Sequence, residues 1–82
     1  MIDLVIPNSM VVALRGSHHI PVILNQGRGM ELLGVDDDLI TAYTYGAMCA
    51  VRGVVLSAPT RFDRLQGDYF WDGVTYGESL TD

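Results

Sequence analysis

The sequence has no lysine and a single cysteine, and charged residues make up only 18% of its 82 residues. Typical globular chains carry about 25% charged residues. Five arginines stand against ten acidic residues, which gives a formal net charge of −5 at pH 7. Nucleic-acid binding generally depends on clustered positive charge that displaces counterions. The composition therefore argues against direct nucleic-acid binding and leaves open a basic protein partner.

The single cysteine, Cys49, has no intramolecular disulfide partner, which excludes a small disulfide-rich secreted protein. Residues 1–3 place an acid where a signal peptide carries basic residues. We therefore expect no secretory signal and a cytoplasmic or virion-associated protein. The longest uncharged stretch, residues 39–51, is shorter than the roughly 20 apolar residues that span a bilayer. No membrane helix or membrane partner is expected.

Apolar residues, in contrast, are abundant, at 49% of the chain. This content excludes intrinsic disorder, and the length predicts a single domain over residues 1–82. A domain of this size buries only about 60–65% of the surface that its unfolded chain exposes. The apolar residues cannot all enter one core, so part of this surface is expected to contact a partner.

Most of the sequence favours β-structure. Short apolar runs that end at turn residues predict strands, and Asn25 to Gly29 reads as a loop. Pro21 cannot donate a ladder hydrogen bond, so the strand that contains it is expected at a sheet edge. The predicted strands are 2–6, 10–14, 19–24, 30–33 and 54–56.

Residues 37–52 fit both a helix and a hairpin. Asp36, Asp37 and Asp38 suit a helix N-terminus, and Gly53 suits the position just past a helix end. Small residues at 42, 46 and 50 would allow close packing of such a helix. The β-prone Thr, Tyr and Val residues favour the hairpin, as does Gly46. We adopt the helix.

A β-hairpin is predicted near the end of the chain, over residues 69–76. Asp72-Gly73 suits a type I′ turn between two aromatic-rich runs. The predicted fold is α+β and mostly β, a small antiparallel sheet with one helix at about 37–52 and a C-terminal β-hairpin. A small all-β barrel is the alternative.

Four groups of residues suggest chemistry, and each has a simpler structural explanation. His18 and His19 would point to opposite faces of a strand, which disfavours a shared metal. The acidic run 36–38 lacks the remaining features of a calcium loop. Residues 27–29 resemble the start of a phosphate-binding loop, but a common turn explains them. Cys49 lies in an apolar segment, which favours a buried and inert thiol over a nucleophile. We predict no catalytic residues, no metal, no cofactor and no small-molecule substrate, and hence no enzyme.

Aromatic residues of the predicted hairpin are the best candidates for binding a partner, because Trp and Tyr dominate binding hot spots. The alternative is that this hairpin merely completes the core. The residues predicted to bind a partner are Tyr69, Trp71, Tyr76, Asp68 and Asp72. The acidic cluster of Asp36, Asp37 and Asp38 is a second candidate region.

The composition favours a non-enzymatic protein-interaction module, a structural or accessory subunit of a larger assembly, with self-association or a protein partner. Small phage or virion accessory proteins have this size, which is an analogy of scale only. The alternative is a small acidic inhibitor that occupies a basic site on an enzyme or nucleic-acid-binding complex, as anti-CRISPR proteins do. A minimal metal-dependent hydrolase that uses His18, His19 and the three aspartates is a third hypothesis.

Overall fold

A computed structural model describes residues 17–54 and 57–81. They form a 3-10 turn at Ser17–His19 and three α-helices, α1 (Ile20–Leu32), α2 (Asp37–Arg52) and α3 (Arg64–Thr81). No strand occurs in these residues. The predicted α+β fold with its antiparallel sheet is therefore wrong, and so is the all-β alternative. This part of the chain is an all-helical bundle.

Helix α1 occupies the residues for which two strands and a loop are predicted, at 19–24, 25–29 and 30–33. Pro21 lies in the first turn of α1, where a helix has no use for the missing N–H. Ile23 and Gly27 are the buried residues of this helix, and their spacing of four places them on one face. The strands predicted at 2–6 and 10–14 lie outside the described residues. Of 54–56, only Val54 is described, and it has no regular structure.

The helix predicted at about 37–52 is confirmed as α2. Asp36 has the extended backbone of an N-cap residue, and Asp37 and Asp38 lie in the first turn. Gly53 ends the helix with a φ of 73°, a left-handed conformation that glycine adopts without a steric penalty. Its N–H donates to the carbonyl oxygen of Ala50 at 3.0 Å.

The C-terminal hairpin is wrong, because residues 69–76 lie inside α3. The helix starts with a capping box. The Gln66 N–H donates to Asp63 Oδ1 at 2.8 Å, and the Asp63 N–H donates to Gln66 Oε1 at 2.9 Å. Asp72-Gly73 is not a turn, since Gly73 is buried within the helix.

Helices α2 and α3 touch through their backbones. A Cβ atom added to Gly46 would overlap the carbonyl oxygen of Phe70, and one added to Gly73 would overlap that of Tyr43. A Cβ atom on Gly77 would lie 2.5 Å from the carbonyl oxygen of Ala47. The small-residue stripe of α2 therefore serves close packing, as its spacing predicts.

The same contacts fix the relative direction of α2 and α3. Tyr43 contacts Gly73, and one helical turn further along both helices Ala47 contacts Gly77. Because contacts advance together, the two helices run parallel, and their N-termini lie at the same end. The connection between them must return along the length of α2.

The α2–α3 pair has two flanks, and each holds one cluster of buried side chains. The first, the helix-covered flank, is closed by Ile23 of α1. The second, the segment-covered flank, is closed by Ala58 and Phe62 of residues 57–63. The helix-covered flank contains Ile23, Ala47 and Val51, packed against Met48, Tyr76 and Leu80. The segment-covered flank contains Ala42, Ala50, Phe70 and Val74, packed against Ala58, Phe62 and Tyr69.

Candidate functional site

An aromatic group lies at the segment-covered flank. The ring centroids of Tyr45, Phe62 and Phe70 are mutually 5.9–6.3 Å apart. Such separations are within the range of favourable aromatic pairs. The Trp71 ring meets Phe70 edge to face, with 5.1 Å between centroids. Three helical or connecting elements thus contribute to one continuous set of rings.

The rings of this group differ sharply in exposure. Phe70 is only 1% exposed, whereas Tyr45 and Trp71 are each 45% exposed. Phe70 anchors the group in the core, and Tyr45 and Trp71 present aromatic area to solvent above it. We call Tyr45, Phe62 and Trp71 the aromatic surface.

One arginine adjoins the aromatic surface. The guanidinium carbon of Arg61 lies 5.5 Å from the centroid of the Phe62 ring. This distance is within the range of a cation–π contact. Arg, Trp and Tyr are the residue types most enriched in binding hot spots, and all three occur here.

The five residues predicted to bind a partner do not form one surface. Asp68, Trp71 and Asp72 are exposed on the outer side of α3. Tyr69 instead packs against the core of the segment-covered flank. Tyr76 packs in the other flank, where its ring centroid lies 5.8 Å from that of Tyr43.

Sequence reasoning missed Tyr45 and Phe62 as members of the site. The signal that could have found them is the Asp63-to-Gln66 capping box, which marks a helix start. A helix beginning there puts Phe70 on its buried face beside Gly73 and Val74. Tyr45 of α2 would then be a candidate neighbour of Phe70 across the helix pair.

Tyr43 is half-buried between the helices, and among the residues that the structure describes it is the titratable group whose pKa is shifted most clearly by its surroundings. Burial raises the pKa of its hydroxyl above the ordinary value of 10.0. The Gln26 side chain acts in the opposite direction, and Tyr76 and Asp72 add to the increase. The phenol is therefore held in its neutral form.

The acidic cluster lies in a groove between the N-termini of α2 and α3. This groove has a volume of about 310 Å³ and also contains Asp63, because the parallel arrangement brings the two helix starts together. The positive ends of two helix dipoles partly offset the repulsion among these carboxylates. The lining residues are Asp36, Asp37, Asp38, Leu39, Asp63, Leu65 and Gln66.

A second groove of about 450 Å³ separates α1 from α2. Arg28 lies here, together with the acids Glu31 and Asp37. Residues 27–29 are helical, so the turn predicted for them is wrong. Gly27 instead permits close approach, since a Cβ atom there would lie 3.4 Å from Ile40.

The structure does not bring together the residues of the metal-hydrolase hypothesis. His18 and His19 precede α1, with ring centroids 3.8 Å apart. The acidic cluster follows α1, and a helix of 13 residues is about 20 Å long. Within residues 17–54 and 57–81, no group of three or more His, Cys, Asp or Glu side chains is placed to hold a metal ion. Cys49 is half-buried, less than its apolar surroundings predict.

Exposed leucines mark the turn between α1 and α2. Leu32 is 89% exposed and Leu33 is 84% exposed. Neither of them belongs to the buried clusters. They provide exposed apolar control positions that are not part of the aromatic surface.

No helix among the described residues is long and apolar enough to cross a bilayer, in line with the sequence prediction. No family model matches this chain, and no curated protein or solved structure matches it. Its function is therefore inferred from the geometry above.

Proposed function

We propose that this chain is a non-enzymatic protein-interaction module that serves as a structural or accessory subunit of a larger assembly. The observation that carries this proposal is the aromatic surface, where Tyr45 and Trp71 are each 45% exposed above the buried Phe70 ring. Trp and Tyr side chains that a folded core holds in place are typical anchors of protein interfaces.

The helix pair beneath the aromatic surface supports this role. Backbone contacts at Gly46 and Gly73 leave no space for the two helices to slide or separate without loss of packing. Tyr45 on α2 and Trp71 on α3 are therefore held at a fixed separation. An anchor that is already ordered loses less conformational entropy on binding.

The first experiment compares Trp71→Ala with Leu32→Ala. Both variants remove a large exposed apolar side chain, but only Trp71 belongs to the aromatic surface. We expect Trp71→Ala to weaken association by at least tenfold, as hot-spot truncations typically do. Association is measured by analytical ultracentrifugation of the protein alone and by titration of any captured partner.

The control, Leu32→Ala, should leave association unchanged. Circular dichroism establishes that both variants stay folded. If Trp71→Ala and Tyr45→Ala both leave every detectable association intact, the aromatic surface is not an interface and the proposal fails.

The second candidate function is a small acidic inhibitor of a protein with a basic site. The observation that favours it is the acidic groove, where Asp63 adds a carboxylate to the cluster of Asp36, Asp37 and Asp38. Leu39 and Leu65 line the same groove, so it offers apolar contact beside the negative charge. A lysine- or arginine-rich surface fits this combination.

Salt dependence tests the inhibitor hypothesis. We expect binding to an oligolysine probe to fall steeply as ionic strength increases. The double variant Asp37→Asn/Asp38→Asn should weaken it, whereas Asp68→Asn/Asp72→Asn removes the same charge elsewhere and serves as the control. Equal losses for both double variants would indicate a response to net charge and would rule out the groove as the site.

A further inference from the structure

The outer face of α3 carries a row of exposed residues at alternating spacings of four and three. This spacing keeps them on one side of a helix, as in the contact seam of a coiled coil. Trp71 stands at the centre of the row and is its only large apolar side chain. The row, which we call the α3 stripe, consists of Arg64, Asp68, Trp71, Thr75 and Glu78, all exposed.

The two ends of the α3 stripe carry opposite charges, and its remaining charge, Asp68, has the neutral Thr75 as its counterpart in a reversed copy. Arg64 lies seven residues before Trp71, and Glu78 lies seven residues after it. If a second copy packs antiparallel about a two-fold axis at Trp71, Arg64 of each chain faces Glu78 of the other. An interface of this kind uses the same patch twice, which is the usual form of a symmetric dimer.

The ends of α3 carry charges that an isolated helix disfavours. Arg64 is at the positive N-terminal end of the helix dipole, and Glu78 is in the last turn at the negative end. The first turn contains no acidic residue, and the last turn contains no basic one. The carboxylate of Asp63, which caps α3 beside Arg64, offsets the position of Arg64, whereas the last turn offers Glu78 no basic residue. An antiparallel neighbour would provide each of the two charges with an opposite charge.

We infer that the α3 stripe binds a second copy of this chain, with the two α3 helices antiparallel and the Trp71 side chains in contact at the centre. This inference rests on the proposed function, because it names the partner that Trp71 of the aromatic surface binds. The occupant is identified by the charge complementarity between Arg64 and Glu78.

Charge reversal tests the arrangement. The variants Arg64→Glu and Glu78→Arg each place like charges together at both ends of the stripe, and each should weaken the dimer by about tenfold. Both reversals suit the helix dipole, so a loss of association is not caused by a weaker helix. The double variant restores opposite charges and should recover the wild-type dissociation constant.

A mixture of the two single variants provides the sharpest measurement. In the mixed dimer, the glutamate introduced at position 64 of one chain faces the arginine introduced at position 78 of the other, and the remaining pair is native. We expect the mixed dimer to form at least tenfold more tightly than either single variant alone, as measured by sedimentation equilibrium at low salt. Glu31→Gln, which removes one negative charge from exposed α1 surface, serves as the control and should leave the dimer unchanged.

The outcomes separate this inference from the proposed function. A wild-type protein that remains monomeric at about millimolar concentration overturns the inference, and so does a dimer that ignores both reversals. If the monomer still binds another protein through Trp71, the proposed function stands without self-pairing. If Trp71→Ala and Tyr45→Ala change no association at all, both proposals fail.

Discussion

The two flanks of the α2–α3 pair are covered in different ways. A complete helix, α1, closes the first flank, and the side chain of its Ile23 is fully buried. Only residues 57–63 close the second flank, and Tyr45 and Trp71 at its margin remain 45% exposed. Both flanks use small residues and rings from the same two helices. The flanks differ in what covers them, a helix on one side and a short segment on the other. The aromatic surface lies on the flank that the short segment covers.

Gly73→Ala is expected to have the largest effect, because it disrupts both flanks at once. The new Cβ atom overlaps the carbonyl oxygen of Tyr43, so α2 and α3 must separate. We expect a loss of about 3 kcal/mol or more in the free energy of unfolding. Urea denaturation measures it.

Gly67→Ala is the matched control for this change. It lies in the same helix, and a Cβ atom there meets nothing within 4 Å. Alanine favours helices over glycine by about 1 kcal/mol, so this variant should be as stable as wild type or more stable. Similar losses in both variants would contradict the close contact of the two helices.

Ile23→Ala should have the next largest effect and should damage only the helix-covered flank. Removing a fully buried isoleucine side chain costs about 2–4 kcal/mol. Phe62→Ala on the other flank should cost less, because Phe62 is only partly buried. Hydrogen exchange should show faster exchange of α1 amides in Ile23→Ala, with α3 amides less affected. A larger effect for Phe62→Ala would reverse the comparison of the flanks.

Asp63→Ala removes the capping box of α3 and should destabilise the protein by about 1 kcal/mol. The hydrogen bond from the Gln66 N–H to Asp63 Oδ1 is lost, whereas the backbone N–H of residue 63 still donates to Gln66 Oε1. Asp63→Asn retains an oxygen acceptor and should lose only part of this stability. Thermal unfolding by circular dichroism compares the two variants, and equal losses would argue against a capping role.

Tyr43 should produce the smallest effect, limited to alkaline pH. Burial raises its pKa in the folded state, so folding favours the neutral phenol. Its contribution to stability is complete below the unfolded pKa of about 10 and is lost as the pH rises through the folded value. Tyr43→Phe should have a shallower decline in urea midpoint above pH 10 than wild type. Parallel declines would show that Tyr43 is not responsible.

Sequence reasoning succeeded where local signals and tertiary packing agree. In α2, the acidic N-terminus, the stripe of small residues and Gly53 all predict the helix that forms. It fails in α1 and α3, where Pro21 is assigned to an edge strand and Asp72-Gly73 to a hairpin turn. Pro21 is tolerated in a first helical turn, and Gly73 is a contact surface for Tyr43. A glycine that serves helix packing and one that serves a turn look the same in a sequence.

The candidate site was predictable only in part, for the same physical reason. Trp71 is exposed as a binding residue should be, and its acidic neighbours Asp68 and Asp72 are exposed with it. In a strand, residues 69 and 71 would share one face and residue 70 would take the other. A helix turns by about 100° per residue, so all three side chains point in different directions. Tyr69 and Tyr76 therefore pack against the two buried clusters, and Tyr45 of α2 joins Trp71 in the aromatic surface instead.

The parallel direction of α2 and α3 ties the length of the connection to the register of the pair. Helix α2 has 16 residues and is about 24 Å long, a distance that takes at least seven extended residues to retrace. Shortening the connection by several residues would pull α3 along its axis. The contacts at Gly73 and Gly77 fix the register, because sliding α3 by one turn would bring Tyr69 to the position of Gly73 or Thr81 to that of Gly77, and neither side chain fits against the backbone of α2. The length of the connection thus limits the register of the helix pair, and its residues 57–63 also cover one flank.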